Sequence, residues 1–213
     1  MTKKLRVALQ GPRLRLAAVF AFCGAAYGAS LTGADLVTAL HSGGYVILMR
    51  HASSPRTPPE PAQANPDNAK HERQLDESGR ASAREMGKAL RQLHIPVGEI
   101  LSSPTYRAIE TVRLAQFGPP KTFPELGDAG NSMGPDKSGL RGAFLRAKVA
   151  TRPPRGTNTI IVTHFPNVSE AFPEDGKGLE DGEALIFLPD THGRASLVAR
   201  VKINEWARLA SSP

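Results

Sequence analysis

Three short stretches place side chains that can bind anions or carry protons directly after apolar runs. Tyr45-Val46-Ile47-Leu48-Met49 is followed at once by Arg50-His51-Ala52, and Asn158-Thr159-Ile160-Ile161-Val162-Thr163 by His164. Between them, Glu99-Ile100-Leu101-Ser102 leads through Ser103-Pro104 to Arg107. A continuous apolar run of this kind reads as a strand buried on both faces, and in open α/β sheets ligands sit outside the carboxyl ends of the strands. Each residue taken singly reads as an ordinary strand-end side chain. Two such strands, each delivering a histidine at its end and joined by helical crossovers, predict convergence on one site. The third stretch adds a cation in the first turn of a helix, at the end where free backbone amides favour negative charge.

The rest of the chain supplies elements to hold these ends. Helical periodicity is expected over 31–41, with Leu36, Val37 and Leu40 on one face and Gly43-Gly44 as its stop. A second helix is expected over 76–93, where Ala83, Met86, Leu90 and Leu93 share a face. Ser103 is a candidate N-cap and Pro104 a first helical residue for a third, buried through Ala108, Val112 and Ala115. A fourth helix is expected over 140–149 and a short one over 167–172. Residues 182–188 and 196–201 read as a hairpin about a turn at 189–193, and Asn204 as the start of a closing helix with Trp206 as a core anchor. Residues 53–74 break this pattern, with prolines at 55, 58, 59, 61 and 66. A segment of that length without periodicity is disordered or a functional loop, and its departure from His51 favours a loop that contacts substrate.

The first 28 residues have the form of a secretory signal: Lys3, Lys4, Arg6, Arg13 and Arg15, then a small and apolar run from Leu14 to Ala26. That run is shorter than the roughly 20 apolar residues a membrane span needs. Five of the 27 Lys and Arg and none of the 20 Asp and Glu lie in this leader, so its removal lowers the formal charge from +7 to +2. A nucleic-acid or membrane-surface partner is therefore not expected, nor is a stable membrane anchor after cleavage. The single cysteine, Cys23, leaves with it, which excludes disulfides, thiolate metal sites and a cysteine nucleophile from the remainder. Residues 29–213 are expected to form one exported, periplasmic domain.

The sequence resembles the histidine phosphatase superfamily, which includes the phosphoglycerate mutases. The resemblance rests on Arg50-His51-Ala52 after a strand, on Val162-Thr163-His164, and on Ser103-Pro104-Thr105-Tyr106-Arg107-Ala108-Ile109-Glu110-Thr111. The last stretch matches a pattern of Ser-Pro, two variable residues, Arg-Ala, one residue and Glu-Thr. Gln74-Leu75, Gly79-Arg80 and Gly87 resemble the family's approach to its first long helix. The resemblance implies a three-layer αβα sandwich with a mostly parallel central sheet, acting on small phosphorylated substrates without metal or cofactor.

It also implies roles. His51 would attack phosphorus to give a phosphohistidine, Arg50 and Arg107 would clamp the phosphoryl oxygens, and His164 would bind them. Two guanidiniums suit a phosphoester because each offers a planar fork of donors. The attacking nitrogen must be unprotonated, so the other ring nitrogen should donate to a backbone carbonyl. The acid for the leaving oxygen stays open between two residues. Asp128 follows Leu126-Gly127 in the mutase-like manner; Glu183 would reach the site if its strand runs antiparallel to the others. Phe165 stands where the acid-phosphatase branch has an aspartate, and Ala52 where the family has glycine. The competing function is a phosphate-ligand binding domain of the same fold without turnover. A mutase is less expected without extended substrate loops, and a histidine metal site lacks regular ligand spacing.

Overall fold

The computed structural model describes residues 30–128 and 139–211. The expected leader, residues 1–28, lies outside them.

The central strand β1, Val46–Arg50, is covered on both faces, as its unbroken apolar run requires. It pairs in parallel with β4, Asn158–Thr163, on one side and antiparallel with β5, Ala184–Pro189, on the other. Beyond β4 lie β2, Val97–Ser102, and the two-residue edge strand β3, Lys121–Thr122; beyond β5 lies β6, Ala195–Val201. The sheet is thus mixed, with four parallel strands and an antiparallel hairpin at one edge. Strand β3 was not expected, since two exposed residues carry no periodic signal.

Side chains alternate across the sheet and so build two cores. Ile47, Met49, Ile160, Val162 and Ile186 face a layer made by α1 (Gly33–Ser42), α2 (Glu77–Gln92), α3 (Tyr106–Ala115) and Trp206 of α6 (Glu205–Ser211). Val46, Leu48, Ile161, Leu185 and Phe187 face α4 (Leu140–Val149) and α5 (Phe165–Ala171). This is the three-layer αβα arrangement expected from the sequence.

Helix α2 begins where Asp76 Oδ1 accepts from the Gly79 amide at 2.7 Å, a capping bond that satisfies one free helix amide. It runs close to its neighbours at two glycines. A Cβ on Gly87 would lie 2.0 Å from the Ala115 carbonyl oxygen of α3, and one on Gly79 would lie 2.1 Å from the Ser53 carbonyl oxygen. Helix α3 starts at Tyr106, not at Pro104, with Thr105 at its N-cap. The Ser103 hydroxyl instead accepts from the Thr105 amide at 3.1 Å, closing a short side-chain turn ahead of the helix.

Register aligns the functional strand ends. The His51 amide donates to Thr163 O at 3.0 Å, and the Ser103 amide to Val162 O at 2.9 Å. The ends of β1, β4 and β2 therefore stand side by side at one sheet edge. Among the described residues no helix is long and apolar enough to cross a membrane.

Candidate active site

His51, Arg107 and His164 meet above this edge, each at most 3% exposed. The His51 ring is oriented by its neighbour: Nδ1 lies 2.8 Å from the Ala52 carbonyl oxygen. A carbonyl can only accept, so Nδ1 carries the proton and Nε2 keeps its lone pair. Arg107 Nε then donates to that lone pair at 3.1 Å. This meets the requirement set for a nucleophilic imidazole, with Ala52 itself as the carbonyl.

His164 shows the opposite tautomer. Its Nδ1 lies 3.1 Å from Arg107 Nη2, a group that can only donate, so Nε2 bears the proton. Nε2 meets Ser103 Oγ at 2.9 Å and Thr105 Oγ1 at 3.2 Å. The two imidazole rings stand edge to face, their centroids 5.1 Å apart. Arg107 is the hub of the cluster, for its Nη2 also pairs with Asp128 Oδ2.

Electrostatics keeps both imidazoles neutral. Burial lowers the His51 pKa to about 3; the Ala52 carbonyl opposes the shift, while Arg107, Arg50 and Arg73 add to it. Burial likewise drives His164 well below its ordinary value, reinforced by Arg107, His51, Arg73 and Arg50. Arg107 is itself pushed down, by burial first and then by Arg73, with Asp128 opposing.

Arg50 sits at the rim, its side chain a quarter exposed. Nη1 donates to the Leu179 carbonyl at 3.2 Å and Nη2 pairs with Asp181 at 2.7 Å. Its Nε is buried and makes no hydrogen bond among the described residues. A buried donor of a charged group without a partner is costly, and an anion beside His51 is the natural acceptor.

The two candidate acids are placed differently. Asp128 joins the cluster through Arg107, and its loop is fastened by Thr163 Oγ1 on the Leu126 carbonyl (2.8 Å) and Asn167 Nδ2 on the Gly127 carbonyl (2.9 Å). Glu183 lies at the same sheet edge as Arg50 and His51, because β5 is antiparallel and the Arg50 amide donates to the Glu183 carbonyl. Its carboxylate, however, is occupied by Arg200 Nε at 2.9 Å and the Glu180 amide at 2.8 Å. It makes no hydrogen bond or ion pair with His51, Arg107 or His164.

The Glu-Thr of the third motif serves the scaffold. Glu110, 1% exposed, accepts from the Leu75 amide at 2.9 Å and from Asn65 Nδ2 at 3.1 Å, which pins the middle and the far end of the proline-rich loop to α3. Thr111 Oγ1 accepts from the Ala52 amide at 3.2 Å and donates to the Arg107 carbonyl at 2.8 Å, tying the end of β1 to α3. The loop is ordered by its own polar side chains, chiefly Asn68 bridging to both backbone groups of Glu72. It also brings Arg73, whose guanidinium holds the Ser54 and Pro55 carbonyls and whose charge reaches all three buried site residues. The sequence reading did not single out Arg73. Its only signal was an arginine directly before Gln74-Leu75.

Residues 46–164 match the model of the histidine phosphatase superfamily, branch 1, and the chain belongs to that superfamily. The fold is similar to that of the protein histidine phosphatase SixA complexed with tungstate (TM-score 0.54, 19% identity, 76% of this chain and 98% of that one). It is also similar to a putative alpha-ribazole-5'-P phosphatase of Escherichia coli K-12 (TM-score 0.51, 17% identity, 73% and 94%). An open-reading-frame product of Mycobacterium tuberculosis gives a TM-score of 0.50 at 17% identity, covering 72% and 95%. A comparison with curated protein sequences found no match. Family and fold together support phosphatase function.

Proposed function

We propose that the protein hydrolyses phosphomonoesters through a phosphohistidine on His51, without a metal ion. The observation that carries this reading is the His51 ring, held by Ala52 with an unprotonated Nε2 directed at the Arg107 guanidinium.

A phosphoester bound between Arg50 and Arg107 would draw Arg107 away from the His51 lone pair and from Asp128, since a dianion offers the guanidinium stronger acceptors. Nε2 then attacks phosphorus in line as the bond to the leaving oxygen breaks. Asp128, freed from Arg107, takes a proton from solvent and passes it to that oxygen. Water next attacks the phosphohistidine, the P–N bond breaks back to Nε2, and Asp128 takes the proton from water. One displacement becomes two easier ones. Through both, Arg50, Arg107 and His164, which takes a proton from solvent on Nδ1 once the phosphoryl dianion is bound beside it, stabilise the equatorial oxygens. The basic and apolar leader supports an exported, periplasmic enzyme, which fractionation of cells carrying the full chain would check.

The test is hydrolysis of an aryl phosphate in chelator by wild type and His51→Ala, with protein denatured in alkali and assayed for an alkali-stable, acid-labile phosphoryl group. Turnover and labelling by wild type alone support the reading. Tight phosphate binding with neither turnover nor labelling would leave the non-catalytic ligand-binding domain instead.

A further inference from the structure

Phe165 directly follows His164 and is the first residue of α5, and it is 37% exposed. It packs against the Arg50 guanidinium, 5.9 Å from ring centroid to Cζ. Beside it opens a cleft of about 680 Å3, lined by Phe165, by Arg50, by Arg56 of the proline-rich loop and by the 178–181 turn. That volume is suited to a small organic group.

Both carboxylates lining the cleft are already paired, one of them by a lysine from outside it. Asp181 is neutralised by Arg50 at 2.7 Å, and Glu180 by Lys202 Nζ at 2.6 Å. Arg56 forms no hydrogen bond or ion pair among the described residues. The cleft therefore offers one flat aromatic face and one free guanidinium. It also adjoins the reacting centre, sharing Arg50 with it and reached from His164 by a single residue. A phosphoryl group at His51 Nε2 must direct its ester oxygen outward, because His51, Arg107 and His164 close the inner side.

Resting on the phosphatase reading above, we propose that this cleft seats the leaving group and selects phosphomonoesters whose leaving group carries a ring face and a second anionic group. The ring packs on Phe165 and the anion pairs with Arg56. Binding energy from such remote contacts can be used to position the phosphoryl group for attack.

The experiment measures kcat/KM of wild type, Arg56→Gln, Arg56→Glu and Phe165→Leu on methyl phosphate, phenyl phosphate and 4-carboxyphenyl phosphate. Each substrate is compared with itself across variants, so its intrinsic reactivity cancels. Arg56→Gln should lower kcat/KM about tenfold on 4-carboxyphenyl phosphate while leaving the other two within about twofold, the loss of one charge-assisted contact. Arg56→Glu should lower it further on the carboxylate substrate alone. Phe165→Leu should cost about tenfold on both aryl esters and leave methyl phosphate nearly unchanged, as loss of an aromatic contact predicts. Equal effects of each substitution on all three esters, or none, would overturn the proposal while wild-type turnover left the phosphatase reading standing. Absence of wild-type turnover on every ester would overturn that reading, and this assignment with it.

Discussion

Arg107 Nε lies 3.1 Å from His51 Nε2, so in the free protein the proposed phosphate clamp occupies the proposed nucleophile. The same guanidinium reaches His164 and Asp128, and no other described side chain contacts all three. Lysine would keep the charge but has no fork with which to hold several partners. Arg107→Lys should therefore lower kcat/KM by about 10³-fold or more with the fold intact, as read by steady-state kinetics beside circular dichroism.

The roles of Asp128 and Glu183 separate by leaving group. An acid that protonates the leaving oxygen contributes about 10²–10⁴-fold when that oxygen is a poor leaving group, and little when it is a good one. Asp128→Asn should thus be severe on an alkyl phosphate and mild on 4-nitrophenyl phosphate. Glu183→Gln should act alike on both esters and lower stability by about 1–3 kcal/mol, because it weakens the part-buried, charge-assisted hydrogen bond to Arg200. A leaving-group-dependent loss at Glu183 and a uniform one at Asp128 would exchange the assignments.

Stability should fall with acidity through His51. Its folded pKa is lowered to about 3 from 6.5, mainly by burial, so between these values the unfolded chain binds the proton and the folded one does not. Stability is then complete above the unfolded value and lost as pH falls from about 6.5 toward 3, by up to about 1.4 kcal/mol per pH unit for one proton. Denaturant titrations of the phosphate-free protein should show this slope, and His51→Asn should make it shallower. Nitrogen NMR at pH 5 should still report His51 neutral, with its proton on Nδ1.

Glu110 makes a prediction about a loop rather than about chemistry. Its buried carboxylate holds the Leu75 amide and the Asn65 side chain, so Glu110→Ala leaves a buried amide without an acceptor. The expected cost is about 1–3 kcal/mol in unfolding free energy. KM should rise more than kcat falls, since the loop carrying Arg56 and Arg73 is loosened while His51 and Arg107 keep their partners.

The strands and the site trio were legible because their signals are local. Val46 to Met49 and Ile160 to Val162 are apolar without interruption, and such runs locate β1 and β4 and hence the residues that follow them. What escaped depends on side-chain partners far apart in the chain. Glu183 was an open candidate acid because its place at the sheet edge follows from strand direction; that Arg200 holds it follows from the β5–β6 register pairing Leu185 with Arg200. Arg73 lay in a segment with no periodicity, and only the folding of that loop onto α3 brings its charge near His51. Ser103 had the composition of a helix cap, yet its hydroxyl is used by the Thr105 amide and by His164.

The contact at Gly79 carries a consequence for substitutions remote from any reactive group. The first turn of α2 rests on the Ser53 carbonyl, two residues beyond His51, so closely that a single methyl would meet it at 2.1 Å. The side chain that residue 79 lacks is thus what lets the strand end hold its position. In a library of random variants scored for activity, position 79 should tolerate nothing, alanine included, and would stand out as a hot spot whose native residue has no functional group to lose.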